Sequence, residues 1–139
     1  MAIKLWYTTS NLTLYAVIVQ GDTFMLETLN RVAVIITPRQ SFFDMIAGLS
    51  GDPPEKEAAP FTEDESTVYL LDADQADLPT MKERLAHCFR EIFFEELEGW
   101  YTDTSKWPAA VTWQEFESYF HISFQSVVLD AGEMGIEYE

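Results

Sequence analysis

Residues 78–98, LPTMKERLAHCFREIFFEELE, decide the fold class, because they carry a long helical period in a chain whose beginning reads as strands. At ~100° per residue, Met81, Leu85, Cys88, Phe89, Ile92 and Phe93 share one stripe, as in a helix laid against a core. Asp77 can cap the first turn, Pro79 suits a position just inside it, and Gly99 is expected to stop the helix. Two residues break the stripe. Glu96 projects into the arc of Leu85 and Phe89, and Phe94 projects opposite it, beside His87 and Glu98.

Toward the N-terminus the period changes to that of strands. Residues 3–7 (IKLWY) form a short run, and 12–20 (LTLYAVIVQ) are apolar on both alternating faces, as in a central strand. Gly21-Asp22 matches a two-residue hairpin turn, and residues 23–28 and 31–37 continue as β-rich runs. These runs predict an N-terminal antiparallel meander. Pro38 closes it, and Phe42, Met45, Ile46 and Leu49 predict a short helix over 39–49.

Residues 50–66 hold Pro53, Pro54 and Pro60 among Glu and Asp, and are expected to be a mobile acidic surface loop. Residues 67–72 (TVYLLD) predict another strand. Thr112 and Glu115 have the spacing of a capping box ahead of a helix over 113–120. A last strand over 121–129 and an acidic tail over 130–139 complete the chain. Strands in a run followed mainly by helices predict an α+β fold. The expected architecture is a single mostly antiparallel sheet, meander plus later strands, with the long helix and the shorter ones packed on it.

Charge sets the functional frame. The chain has 139 residues, with 8 Lys+Arg against 24 Asp+Glu and a formal net charge of −16. Its 47% hydrophobic and 14% aromatic content belongs to a chain that folds, and 1–139 is expected to be one domain. Such a field attracts cations and basic partners and repels nucleic acid and anionic lipid. Adaptation to salt is the plain alternative, although large apolar side chains are not thinned out as that habitat usually requires.

Residues 1–10 lack the pattern of a secretory signal, and no stretch approaches the ~18 apolar residues of a membrane span. The single Cys88 excludes an internal disulfide, so the expectation is a cytoplasmic, reducing setting with no membrane contact.

The inventory for catalysis is thin. His87 and Cys88 are neighbours in sequence and diverge by ~100° on a helix, so they cannot pair as base and nucleophile. Cys88 lies on the apolar stripe, and His121 has no obvious companion. The glycines match no phosphate-binding loop, and the two histidines do not supply a zinc site. Asp72, Asp74 and Asp77, and Glu63 to Glu65, lack the ligand order of a calcium loop. No cofactor and no enzymatic activity are expected.

What remains is a binding surface. Phe94, Glu95, Glu98, Trp100 and Tyr101 are the expected contacts with a basic partner protein, the chain acting as an inhibitor or nucleic-acid mimic. The alternative is an aromatic, acidic pocket for an organic cation, built from Glu96, Trp107 and Trp113. Glu96 is the sharpest anomaly: either the helix frays near residue 95 and returns it to water, or it is buried with a partner such as Arg31, Arg84 or Lys106. A homodimer through an exposed sheet edge is a further expectation.

Overall fold

Residues 31–38, RVAVIITP, form strand β4 (Arg31–Pro38), whose positions 32–34 and 36–38 are all buried. Burial of both alternating faces demands cover above and below the strand. The computed structural model describes residues 2–6, 15–19, 26–51, 65–72 and 75–139. In chain order the elements are β1 (Ala2–Trp6), β2 (Tyr15–Val19), β3 (Glu27–Thr28), β4, α1 (Gln40–Ser50), β5 (Thr67–Asp72), α2 (Leu78–Trp100), a 3-10 turn (Thr104–Lys106), α3 (Trp113–Tyr119), β6 (Phe120–Gln125) and β7 (Leu129–Asp130). The fold is α+β. None of these helices is long and apolar enough to cross a membrane.

The chain groups into two compact units, residues 1–28 with 129–139, and residues 29–128. In the first, β1 pairs antiparallel with β2 from Ala2↔Val19 to Trp6↔Tyr15, and β3 pairs with β7. In the second, β4 lies between β5 and β6 in an all-antiparallel sheet of order β5-β4-β6.

This arrangement corrects the single sheet: among the described residues there are three separate sheets, and the meander does not continue through β3 into β4. The physical reason lies in β4. A strand buried on both faces needs long partners on both edges, which 67–72 and 120–125 supply over six residues each. Glu27-Thr28 offers only two exposed residues and pairs instead with Leu129-Asp130. The last strand, expected over 121–129, is accordingly split into β6 and β7. The hairpin turn at Gly21-Asp22, residues 23–25 and most of the 50–66 loop lie outside the described residues.

One face of the three-stranded sheet builds the core. Partners across an antiparallel ladder share a face, so Val32, Val34 and Ile36 stand beside Leu71, Tyr69, Phe124 and Ile122. Against them α2 lays Met81, Leu85, Phe89, Ile92, Phe93 and Leu97. Rings from α1 and α3 fill the remainder: Phe42 lies 4.8 Å from Phe120 and 6.4 Å, edge-on, from Phe93. Phe116 lies 5.0 Å from Phe120 and 5.6 Å from Phe89. Such tilted and edge-to-face packings satisfy the quadrupoles of the rings.

The helix ends follow from local chemistry. Asp77 accepts from the Thr80 backbone N–H at 2.9 Å and opens α2, and those bonds hold its carboxyl below the ordinary range. Thr112 and Glu115 form the reciprocal capping box of α3, the Thr112 N–H donating to Glu115 Oε2 at 2.8 Å. Gly51, at φ 75°, takes the left-handed conformation that ends α1 and donates its N–H to Ala47 O. Gly99 does not stop α2. It has no positive φ, the helix runs on to Trp100, and Tyr101 turns the chain out in extended backbone while donating to Leu97 O.

Phe93 sits where sheet, α1 and α3 meet, so Phe93→Ala is expected to cost about 3–5 kcal/mol. Thr112→Ala, which removes one cap, is expected to cost about 1 kcal/mol. Urea unfolding checks both, through the midpoint at an unchanged slope.

Candidate functional site

The second half of α2 concentrates the acid. Its last ten residues, EIFFEELEGW, contain four glutamates and no Lys or Arg. Glu91, Glu95 and Glu98 are exposed, whereas Glu96 is only 5% exposed. Because α2 stays helical to Trp100, the arc shared by Phe89, Ile92 and Phe93 carries Glu96 inward with them, and the fray that would return it to water does not occur.

The buried carboxyl finds its donor on the sheet. Tyr69 stands opposite Val34 on the α2 side of β5, and its hydroxyl donates to Glu96 Oε1 at 2.8 Å. A phenol from the neighbouring strand thus fills the place expected of a cation. Burial pushes the Tyr69 ionisation up, reinforced by the hydrogen bond to Glu96 and by the charges of Glu96 and Glu95.

Around this pair lies a recess of about 350 Å³, lined by Glu65, Ser66, Thr67, Tyr69, Glu95, Glu96, Gly99 and Trp100. Trp100 is 46% exposed and stands edge-on to Phe43 at 4.9 Å. A second recess of about 360 Å³ shares Tyr69 and Glu95 and continues over Leu70, Leu71, Cys88, Glu91 and Ile92. A third, of about 300 Å³, shares Leu70, Leu71 and Cys88 and ends at Asp72, Arg84 and His87. The three form one trough along β5, whose residues rise from 65 to 72 as those of α2 fall from 100 to 84. Its middle stretch is largely apolar, and its end toward Trp100 carries Glu65, Glu95 and Glu96.

The structure brings together only part of the expected site. Glu95, Glu96 and Trp100 line the first recess, and Glu98 stands exposed on α2 outside it. Phe94 and Tyr101 are half-buried. Phe94 stacks on Trp107 at 5.6 Å, and the Trp107 indole N–H donates to Tyr101 O at 2.8 Å, so these rings pack on one another. Trp113 packs edge-on against Phe89 at 5.2 Å and lines a different hollow with Arg39, Lys82 and His121. Trp107 and Trp113 do not line the recess that holds Glu96; Tyr69 and Trp100 stand there with it. Tightly packed indoles serve the core.

Cys88 is half-buried; burial and the charge of Glu91 raise its thiol ionisation, which disfavours the thiolate a nucleophile needs. Sequence reasoning missed Tyr69, Thr67 and Ser66. The alternation of TVYLLD places Tyr69 on the same face as Leu71, but only the β5–α2 packing reveals what it meets. No protein-family model matches the chain, and none of the curated proteins or solved structures does.

Removing the donor should be felt. Tyr69→Phe leaves Glu96 one hydrogen bond short in a buried place and is expected to cost about 1–3 kcal/mol in urea unfolding. With its folded-state ionisation raised above the ordinary 10.0, Tyr69 contributes stability that is constant below that pH and lost as pH climbs beyond it. Tyr69→Phe should therefore flatten part of the alkaline fall in stability, measured by the same titration across the alkaline range.

Proposed function

We propose that this chain is a non-enzymatic acidic interaction protein that binds a basic partner protein, as an inhibitor or nucleic-acid mimic. One observation carries the reading: the exposed glutamates crowd the wrong end of α2. The C-terminus of a helix is the negative end of its dipole, and an acid in the last turn, as Glu98 is, is unfavourable by about 0.3–1 kcal/mol. The pair Glu91 and Glu95, one turn apart, adds like-charge repulsion of about 0.2–0.5 kcal/mol. No basic residue in the last turn offsets this. A partner's Lys and Arg side chains would relieve it, with Trp100 as an aromatic contact beside the charges.

The first recess also favours a second reading, a site for a small organic cation. Trp100 and Tyr69 offer ring surface, with Glu95 and Glu96 as counter-charges. An organic cation would fill that recess alone and raise the thermal midpoint in a screen of ammonium compounds. A basic protein would depend on exposed Glu98 as well.

The double variant Glu95→Lys, Glu98→Lys separates function from structure. It is expected to raise stability by about 0.5–1 kcal/mol, since it places cations at the helix C-terminus. It should at the same time abolish retention of basic proteins from a cell lysate at low salt. The unaltered chain should lose those proteins as salt rises, because screening shortens the reach of exposed charges to about 10 Å at 0.1 M. Equal retention by both chains would defeat the reading.

A further inference from the structure

Strand β5 is the edge of its sheet: among the described residues it pairs with β4 alone. In an antiparallel ladder alternate residues turn their N–H and C=O groups toward the partner, and the others turn them outward. Every second residue of Thr67–Asp72 thus presents backbone donors and acceptors away from β4. At ~3.3 Å per residue this edge is about 20 Å long. Beside it, for its whole length, runs the trough against α2.

An edge strand flanked by a helix, with a groove between them, is the geometry of strand addition: backbone bonds supply affinity and alternate side chains supply selectivity. We infer that the trough takes an extended basic segment of the partner, added as a strand to the outer edge of β5. The inference rests on the basic-partner reading and names the conformation in which that partner binds.

The side-chain chemistry sets the pattern of the segment. Residues directed toward α2 meet a floor of Leu71, Cys88 and Ile92 and the carboxylates of Glu91 and Glu95. Lysine or arginine suits those positions, laying an apolar stem on the floor and a charged head on the rim. Residues directed the other way stand beside Val68 and Leu70, which alternate with Tyr69 and Leu71 and are 58% and 51% exposed. β-branched or aliphatic residues suit those.

The occupant is thus an alternating basic and apolar strand. A second copy of this chain fits poorly, because each copy brings Glu91, Glu95 and a net charge of −16 to the same edge.

The test uses the full chain and three blocked heptapeptides, all Lys-Val-Lys-Val-Lys-Val-Lys, at low salt. One is unmodified, one is N-methylated at its valines, and one at its interior lysines; charge is the same in all. Affinity is measured by calorimetry, and backbone protection by amide hydrogen exchange in NMR. Strand addition predicts that the unmodified peptide binds and slows exchange at alternate amides of 67–72.

It also predicts that one methylated peptide keeps its affinity while the other, whose methyls face β5, loses about tenfold or more. Equal binding by all three, with exchange in β5 unchanged, would overturn strand addition and leave the basic-partner reading standing. Binding by none would overturn both. Protection of β5 that grows with protein concentration in the absence of peptide would assign the edge to a second copy and overturn the inference.

Discussion

Strand β4 carries a demand that the second compact unit is built to meet. Its side chains are buried on both faces, and its backbone is paired along both edges. Unpaired amide groups or uncovered valines at that depth would each cost free energy, so the strand can exist only with β5 and β6 beside it and α2 across one face. From that requirement follow the order β5-β4-β6, the closure of the core by Phe42, Phe93, Phe116 and Phe120, and the position of β5 at an edge. The edge is a consequence of the core.

The same packing explains why a glutamate lies on an otherwise apolar arc. Once α2 is anchored by Phe89, Ile92 and Phe93, its regular period brings residue 96 against β5, where Tyr69 is waiting. An aliphatic residue there would bury more simply. Glutamate with a phenol donor keeps a polar group at the root of the trough, walled by Trp100 and next to Glu95. The pair is a structural contact and a lining group at once.

Four acids elsewhere among the described residues have local explanations. Asp77 caps α2, Glu115 completes the box of α3, Asp103 accepts from Ser105, and Asp72 lies 3.9 Å from Arg31. Glu98 opposes the helix dipole in the last turn of α2, and Glu91 and Glu95 repel each other one turn apart. That contrast sets the exposed glutamates of α2 apart from acid that shapes helix ends and turns.

Elements governed by local chemistry were legible from the residues alone: the stripe of α2 with its Asp77 cap, the capping box of α3, the extent of β5 and the α+β class. These depend on residues within a few positions of one another, and period and capping record them directly. The sequence also marked Glu96 as out of place on its arc.

The tertiary fold alone set strand pairing, because β-ladders join residues far apart and several β-rich runs were equally eligible to lie beside β4. Only it decided that Tyr69 answers Glu96 and that Trp100 is the indole beside them, while Trp107 and Trp113 pack elsewhere. Periodicity tells which way a side chain faces along its own element. What it faces depends on where two elements meet, and here that meeting was set by the burial of β4.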